Sequence, residues 1–286
     1  MHTEVSEVRA GETGSCPGCG RSTTIPAAHP CGGCAVSAGL SQEPAVSVFV
    51  VVAVVVVVMV CSVILLNLLF PAVSAAPEAA RRATCQNNMK QIGLAMHNYH
   101  DIYGTFPPAY VADENGEPMH SWRVLILPYL EEQILYDQYN FDEPWDSPGN
   151  LALAGSMPDV YRCPTDSQSG PNETNYVVIT GPGTVFEGNK ACKFGDITDG
   201  TSCTILIAEV TCSGINWMEP RDLDTQKMIY RINAQSGNDI GSAHPEGTCV
   251  GYCDGSVRFL VDDTPAETLK ARITRAGGEP VPDPLD

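Results

Sequence analysis

The sequence predicts an α+β fold: a long N-terminal helix packed on an antiparallel β-sheet domain and preceded by a small zinc-ribbon-like tail. Three observations carry this reading. Residues 45–70 form an uncharged apolar run without Pro or Gly. The stretch after it repeats apolar residues at helical spacing, and β-branched runs bounded by Gly, Pro and Asp gather in the C-terminal half. Helices first and sheet afterwards is the α+β order.

The tail, residues 1–44, holds Cys16-Pro-Gly-Cys19 and Cys31-Gly-Gly-Cys34. Four thiolates at this spacing close a tetrahedral zinc site, and a segment this short has no core without one. A structural zinc is therefore expected on Cys16, Cys19, Cys31 and Cys34, with a redox dithiol as the competing use. Residues 45–70 exceed the roughly 20 apolar residues needed to cross a bilayer. They are read as a transmembrane helix in a single-pass inner-membrane protein.

Residues 71–104 continue this helix beyond the membrane. Cys85, Met89, Ile92, Met96, Tyr99 and Tyr103 fall at alternating spacings of four and three, one helical stripe. Gly104 and Pro107-Pro108 stop it. The main domain is then 105–286. Ser121–Tyr136 reads as one or two short helices, with Pro128 opening the second and Leu130, Ile134 and Leu135 on the buried side. Asn175–Thr180 and Thr201–Glu209 read as strands, and Thr248–Cys253 with Ser256–Val261 as a hairpin turning on Asp254-Gly255. Thr264-Pro265-Ala266-Glu267 is a capping box that starts a last helix ending at Gly277-Gly278.

Lys and Arg total 16 against 34 Asp and Glu, a net charge of −18, which excludes a nucleic-acid partner for want of clustered cations. Of the twelve cysteines, seven lie singly after the apolar run, which suits disulfides in an oxidising compartment. That partition places the tail in the cytoplasm and the main domain in the periplasm or otherwise outside the cytoplasm. No nucleophile elbow, P-loop or His-Glu-x-x-His motif occurs. His97, His100 and Asp101 share a helix face, where they serve as metal ligands or as an ordinary polar face.

Several segments resemble one known family. They include Cys85-Gln-Asn-Asn-Met-Lys-Gln-Ile-Gly93, His97-Asn-Tyr-His100-Asp, Phe106-Pro-Pro, Ser121-Trp-Arg, Tyr161-Arg-Cys163-Pro and Asp196-Ile-Thr-Asp-Gly-Thr-Ser202. His244, nine residues, then Asp254-Gly255 completes the pattern. The chain is similar over roughly 63–280 to planctomycete domain-of-unknown-function family 1559, surface proteins with a type IV pilin-like N-terminal helix. The resemblance implies a pilin- or pseudopilin-like structural or assembly protein without catalysis, with other pilin-like or secretion-system proteins as partners. Where relatives carry a prepilin peptidase site, this chain has Glu43-Pro-Ala-Val-Ser-Val-Phe49, which implies retention in the membrane.

Two alternatives stand beside this reading. One is an extracytoplasmic ligand- or glycan-binding module using Trp122, Trp145 and Trp217; the other is a hydrolase using His244 and Asp254. Asp254-Gly255 is also accounted for as turn chemistry alone. Asp196, Asp199 and Thr201 around Gly200 offer the oxygens that calcium takes, as in the loop of pseudopilins, and equally make a polar strand-entry turn. For disulfides, Cys85 with Cys163 is the first pairing, since both fall in family motifs and the chain before Cys163 should pack on the Cys85 stripe; Cys192 with Cys203 is the second.

Overall fold

A computed structural model describes residues 13–15, 22–24 and 47–279. The four tail cysteines lie outside the described residues. Strands β1 (Thr13–Ser15) and β2 (Ser22–Thr24) pair antiparallel on either side of the first cysteine pair. The chain divides into a unit up to Val63 and a larger one from Ile64.

Helix α1 runs from Val48 to Tyr103. Its first 18 residues, Val48–Leu65, have a mean hydropathy of 3.5, long and apolar enough to cross a membrane. Farther along, Cys85, Met89, Ile92 and Met96 are buried as the periodicity predicts, while Tyr103 is exposed. Asn88, expected on the polar face, is also buried: its amide donates to the Arg162 carbonyl at 3.0 Å, which lets a polar residue sit inside. Gly104 ends the helix at φ 75° with its N–H on the His100 carbonyl.

After α1, β3 (Tyr110–Ala112) and β4 (Pro118–Ser121) form a hairpin that the hydrophobic pattern did not announce. Short helices follow: α2 (Trp122–Leu125), a 3₁₀ turn over Leu127–Leu130, α3 (Gln133–Gln138) and α4 (Pro148–Leu151). Leu135 is buried, but Ile134 is 76% exposed, so the expected buried side was one residue too wide. Glu131 at φ 64° breaks the helix there and resets its phase.

The sheet contains β5 (Tyr176–Val177), β7 (Ile205–Glu209), β9 (Gly247–Tyr252) and β10 (Val257–Val261), all antiparallel, in the order β10-β9-β7-β5. A separate parallel pair joins β6 (Ile179–Thr180) to β8 (Leu223–Asp224). Residues 201–204, expected as the start of a strand, fold into a turn with Cys203 and Thr204 N–H on the Gly200 carbonyl. Strands β7 and β9 are buried at every residue, because one core lies between the sheet and α1 and a second on the opposite face under α5 (Ala266–Ile273). Burial on both faces explains why Ile205–Ala208 of β7 reads as a continuous apolar run.

Two expectations change in detail. The hairpin loop has three residues: Tyr252 N–H reaches the Ser256 carbonyl, and Gly255 supplies the positive φ of 83°. No capping box forms at α5, because the Thr264 hydroxyl donates to the Val261 carbonyl at 2.7 Å; the helix ends at Ile273.

Candidate functional site

Four buried side chains from distant parts of the sequence meet between α1 and the sheet. Cys85 lies on the buried stripe of α1. Cys163 follows the 3₁₀ turn Asp159–Tyr161 and is held by its N–H on the Asn175 side-chain oxygen at 2.8 Å. Glu209 is the last residue of β7, and His244 precedes β9 with its N–H on the Ser242 hydroxyl at 3.0 Å. One ligand atom from each of Cys85, Cys163, Glu209 and His244 lies within 4.8 Å of the others, and all four residues are buried.

The sulfurs of Cys85 and Cys163 are 2.7 Å apart, and both cysteines are free. His244 Nε2 stands 3.6 Å from the Cys163 sulfur and 3.8 Å from Glu209 Oε1. Its other ring nitrogen, Nδ1, faces Glu78 Oε1 of α1 at 2.5 Å and the Thr165 hydroxyl at 3.2 Å. Glu78 is in turn paired with Arg81 at 2.6 Å. Glu209 Oε2 accepts the Cys249 N–H at 3.4 Å, whereas its buried Oε1 has no hydrogen-bond partner.

The electrostatics follow from this crowding. Burial pushes the Glu209 carboxyl well above the usual range, and the neighbouring Cys163 adds to it. The contact with Cys85, then burial, lifts the Cys163 thiol to about 12. Burial alone would lower the His244 imidazolium, but Cys163, Glu78 and Glu209 outweigh it and raise His244 to about 9.

Other expected sites fare differently. Cys192 is buried in the core while Cys203 sits beside the Ser202 hydroxyl, and both are free. The Asp199 carboxylate accepts the N–H groups of Gly277 and Gly278 at 2.6 and 2.9 Å, and Asp196 accepts the Lys193 N–H. The Thr201 carbonyl receives the Asp254 N–H. The oxygens expected on calcium thus already close loops.

His244 and Asp254 share no hydrogen bond; the Asp254 carboxylate accepts the Ser256 N–H at 2.9 Å within its turn. His97 Nε2 lies 3.0 Å from the Cys253 carbonyl, and a side chain at Gly255 would come within 3.3 Å of the His97 ring. The Asp-Gly turn is therefore a docking point for α1. Trp122 and Trp217 are fully buried, which removes them from any glycan-facing surface.

Sequence reasoning singled out Cys85, Cys163 and His244 but in separate roles, and it missed Glu209 and Glu78. The available signal was an acid inside the buried run Thr204–Val210. A family model described as a protein of unknown function (DUF1559) matches residues 74–184 and 180–267. No curated protein matches the chain, and no solved structure does.

Proposed function

The chain belongs to the DUF1559 family, and from that premise we propose that it is a membrane-anchored, pilin-like structural protein with its α+β domain outside the cytoplasm. The observation that carries this is α1, one helix that supplies both the 18-residue apolar segment and the buried stripe of the core. A segment of that hydropathy is stable in a bilayer, and the stripe ties the same helix into the domain. The extracytoplasmic placement rests on the resemblance to surface proteins. All eight cysteines among the described residues are free.

Carbonate extraction of native membranes, followed by crosslinking, tests the reading. The chain is expected in the membrane pellet and in crosslinked species larger than one copy. Release by carbonate would refute the anchor, and a strictly monomeric chain would refute the assembly role.

A further inference from the structure

We propose that Cys85, Cys163, His244 and Glu209 form a buried binding site for a thiophilic divalent cation of the zinc class. This goes beyond the anchoring and assembly role and does not rest on it. Two sulfurs, one imidazole and one carboxylate are the donor types zinc takes, and four of them make a closed tetrahedral set.

Three features favour a cation over the simple contact of two cysteines. First, Glu209 Oε1 is buried without a hydrogen-bond partner and faces His244 Nε2 at 3.8 Å. A disulfide between Cys85 and Cys163 would consume the sulfurs and leave this oxygen only the His244 ring at 3.8 Å, whereas a cation draws in all four groups. Second, Glu78 accepts from His244 Nδ1, which leaves Nε2 as the ring nitrogen that faces the Cys163 sulfur, at 3.6 Å. A carboxylate on the far nitrogen of a ligating histidine fixes its tautomer and raises its basicity. Third, a surface cleft lined by Glu78, Ala79, Arg82, Ala83, Gln86 and Pro245 puts Glu78, the partner of His244 Nδ1, at the border of the cluster with solvent.

The geometry needs one adjustment. Tetrahedral zinc at about 2.3 Å from each sulfur holds the two sulfurs about 3.7 Å apart, so the Cys85–Cys163 pair opens by side-chain rotation as the protons on the four ligand atoms are released. Those protons pass to solvent, and the bonds formed are two metal–sulfur, one metal–nitrogen and one metal–oxygen bond. No change of oxidation state is involved.

The test uses the full chain with the tail ligands removed (C16S, C19S, C31S, C34S), purified in detergent from zinc-supplemented medium. Bound zinc and free thiols are measured on the same sample. The expected result is about one zinc per chain, with Cys85 and Cys163 both recovered as thiols. E209Q and C163S should each lower zinc affinity by at least about tenfold. Cobalt substitution gives a readout on the unaltered site, so misfolding of a variant does not decide the matter: a tetrahedral thiolate–cobalt spectrum is expected. A zinc-free chain carrying a Cys85–Cys163 disulfide in a non-reducing peptide map would overturn the proposal, and so would zinc binding unchanged in C163S.

Discussion

Two of the buried polar clusters in this domain differ in whether their atoms are satisfied. At the first, the Arg123 guanidinium donates to the Tyr176 carbonyl at 3.0 Å, to the Ser121 hydroxyl at 2.9 Å and to Asp222 Oδ1 at 2.5 Å. Asp222 also accepts from Trp122 Nε1 and from the Val178 N–H. Burial pushes its carboxyl up, against the opposing pull of Arg123 and these donors. At the second, Glu209 has a buried oxygen without a hydrogen-bond partner, beside two thiols in contact. Buried polar groups are stable when every member is satisfied and costly when one is not. The Arg123–Asp222 cluster is therefore complete as a structural joint between α2 and the loop before β8. The Cys85–Cys163–His244–Glu209 cluster has the composition of a ligand set.

This contrast can be broken experimentally. The largest effect is expected at the satisfied cluster: Arg123→Ala strands the buried Asp222 carboxylate and should cost about 3–5 kcal/mol in urea unfolding. A loss below about 1 kcal/mol would mean that the pair is solvated and the contrast false. Glu78→Gln sharpens the other side. It retains a hydrogen bond to His244 but loses the charge, so zinc affinity should fall about 10–100-fold while the zinc-free chain unfolds nearly as before. A fall in stability with no change in zinc affinity would make Glu78 a structural partner only. The smallest effect is expected at Ile134, exposed and outside both clusters: Ile134→Ala should change stability by no more than about 0.5 kcal/mol, against about 2–5 kcal/mol for the adjacent buried Leu135→Ala.

Much of the fold was legible in the sequence because it rests on period and on turn chemistry. The Cys85–Met96 stripe, the Gly104 stop and the Asp254-Gly255 hairpin follow from local rules, and they occupy the expected places. The first hairpin, β3–β4, was missed because its strands are three and four residues long and bracket the Asp113–Glu117 turn without an apolar alternation. The strand expected from Thr201 starts late for a comparable reason: β propensity does not register that Gly200 closes a turn through its carbonyl.

The cluster was less legible than the fold. Cys85 and Cys163 are 78 positions apart, and His244 lies a further 81 positions from Cys163. Nothing local links them, and only the sheet order, which sets β7 beside β9, brings Glu209 to His244. A motif reading pairs His244 with Asp254, its neighbour in sequence. The fold pairs it with Glu78, 166 positions away.

The most direct test of the contrast is a crystal structure of the full chain with tail cysteines replaced, recorded with anomalous data at the zinc edge. A single anomalous peak bounded by the Cys85 and Cys163 sulfurs, His244 Nε2 and the Glu209 carboxylate, with none beside Asp222, is the expected result. Continuous density joining the two sulfurs, with no anomalous peak between them and His244, would contradict it.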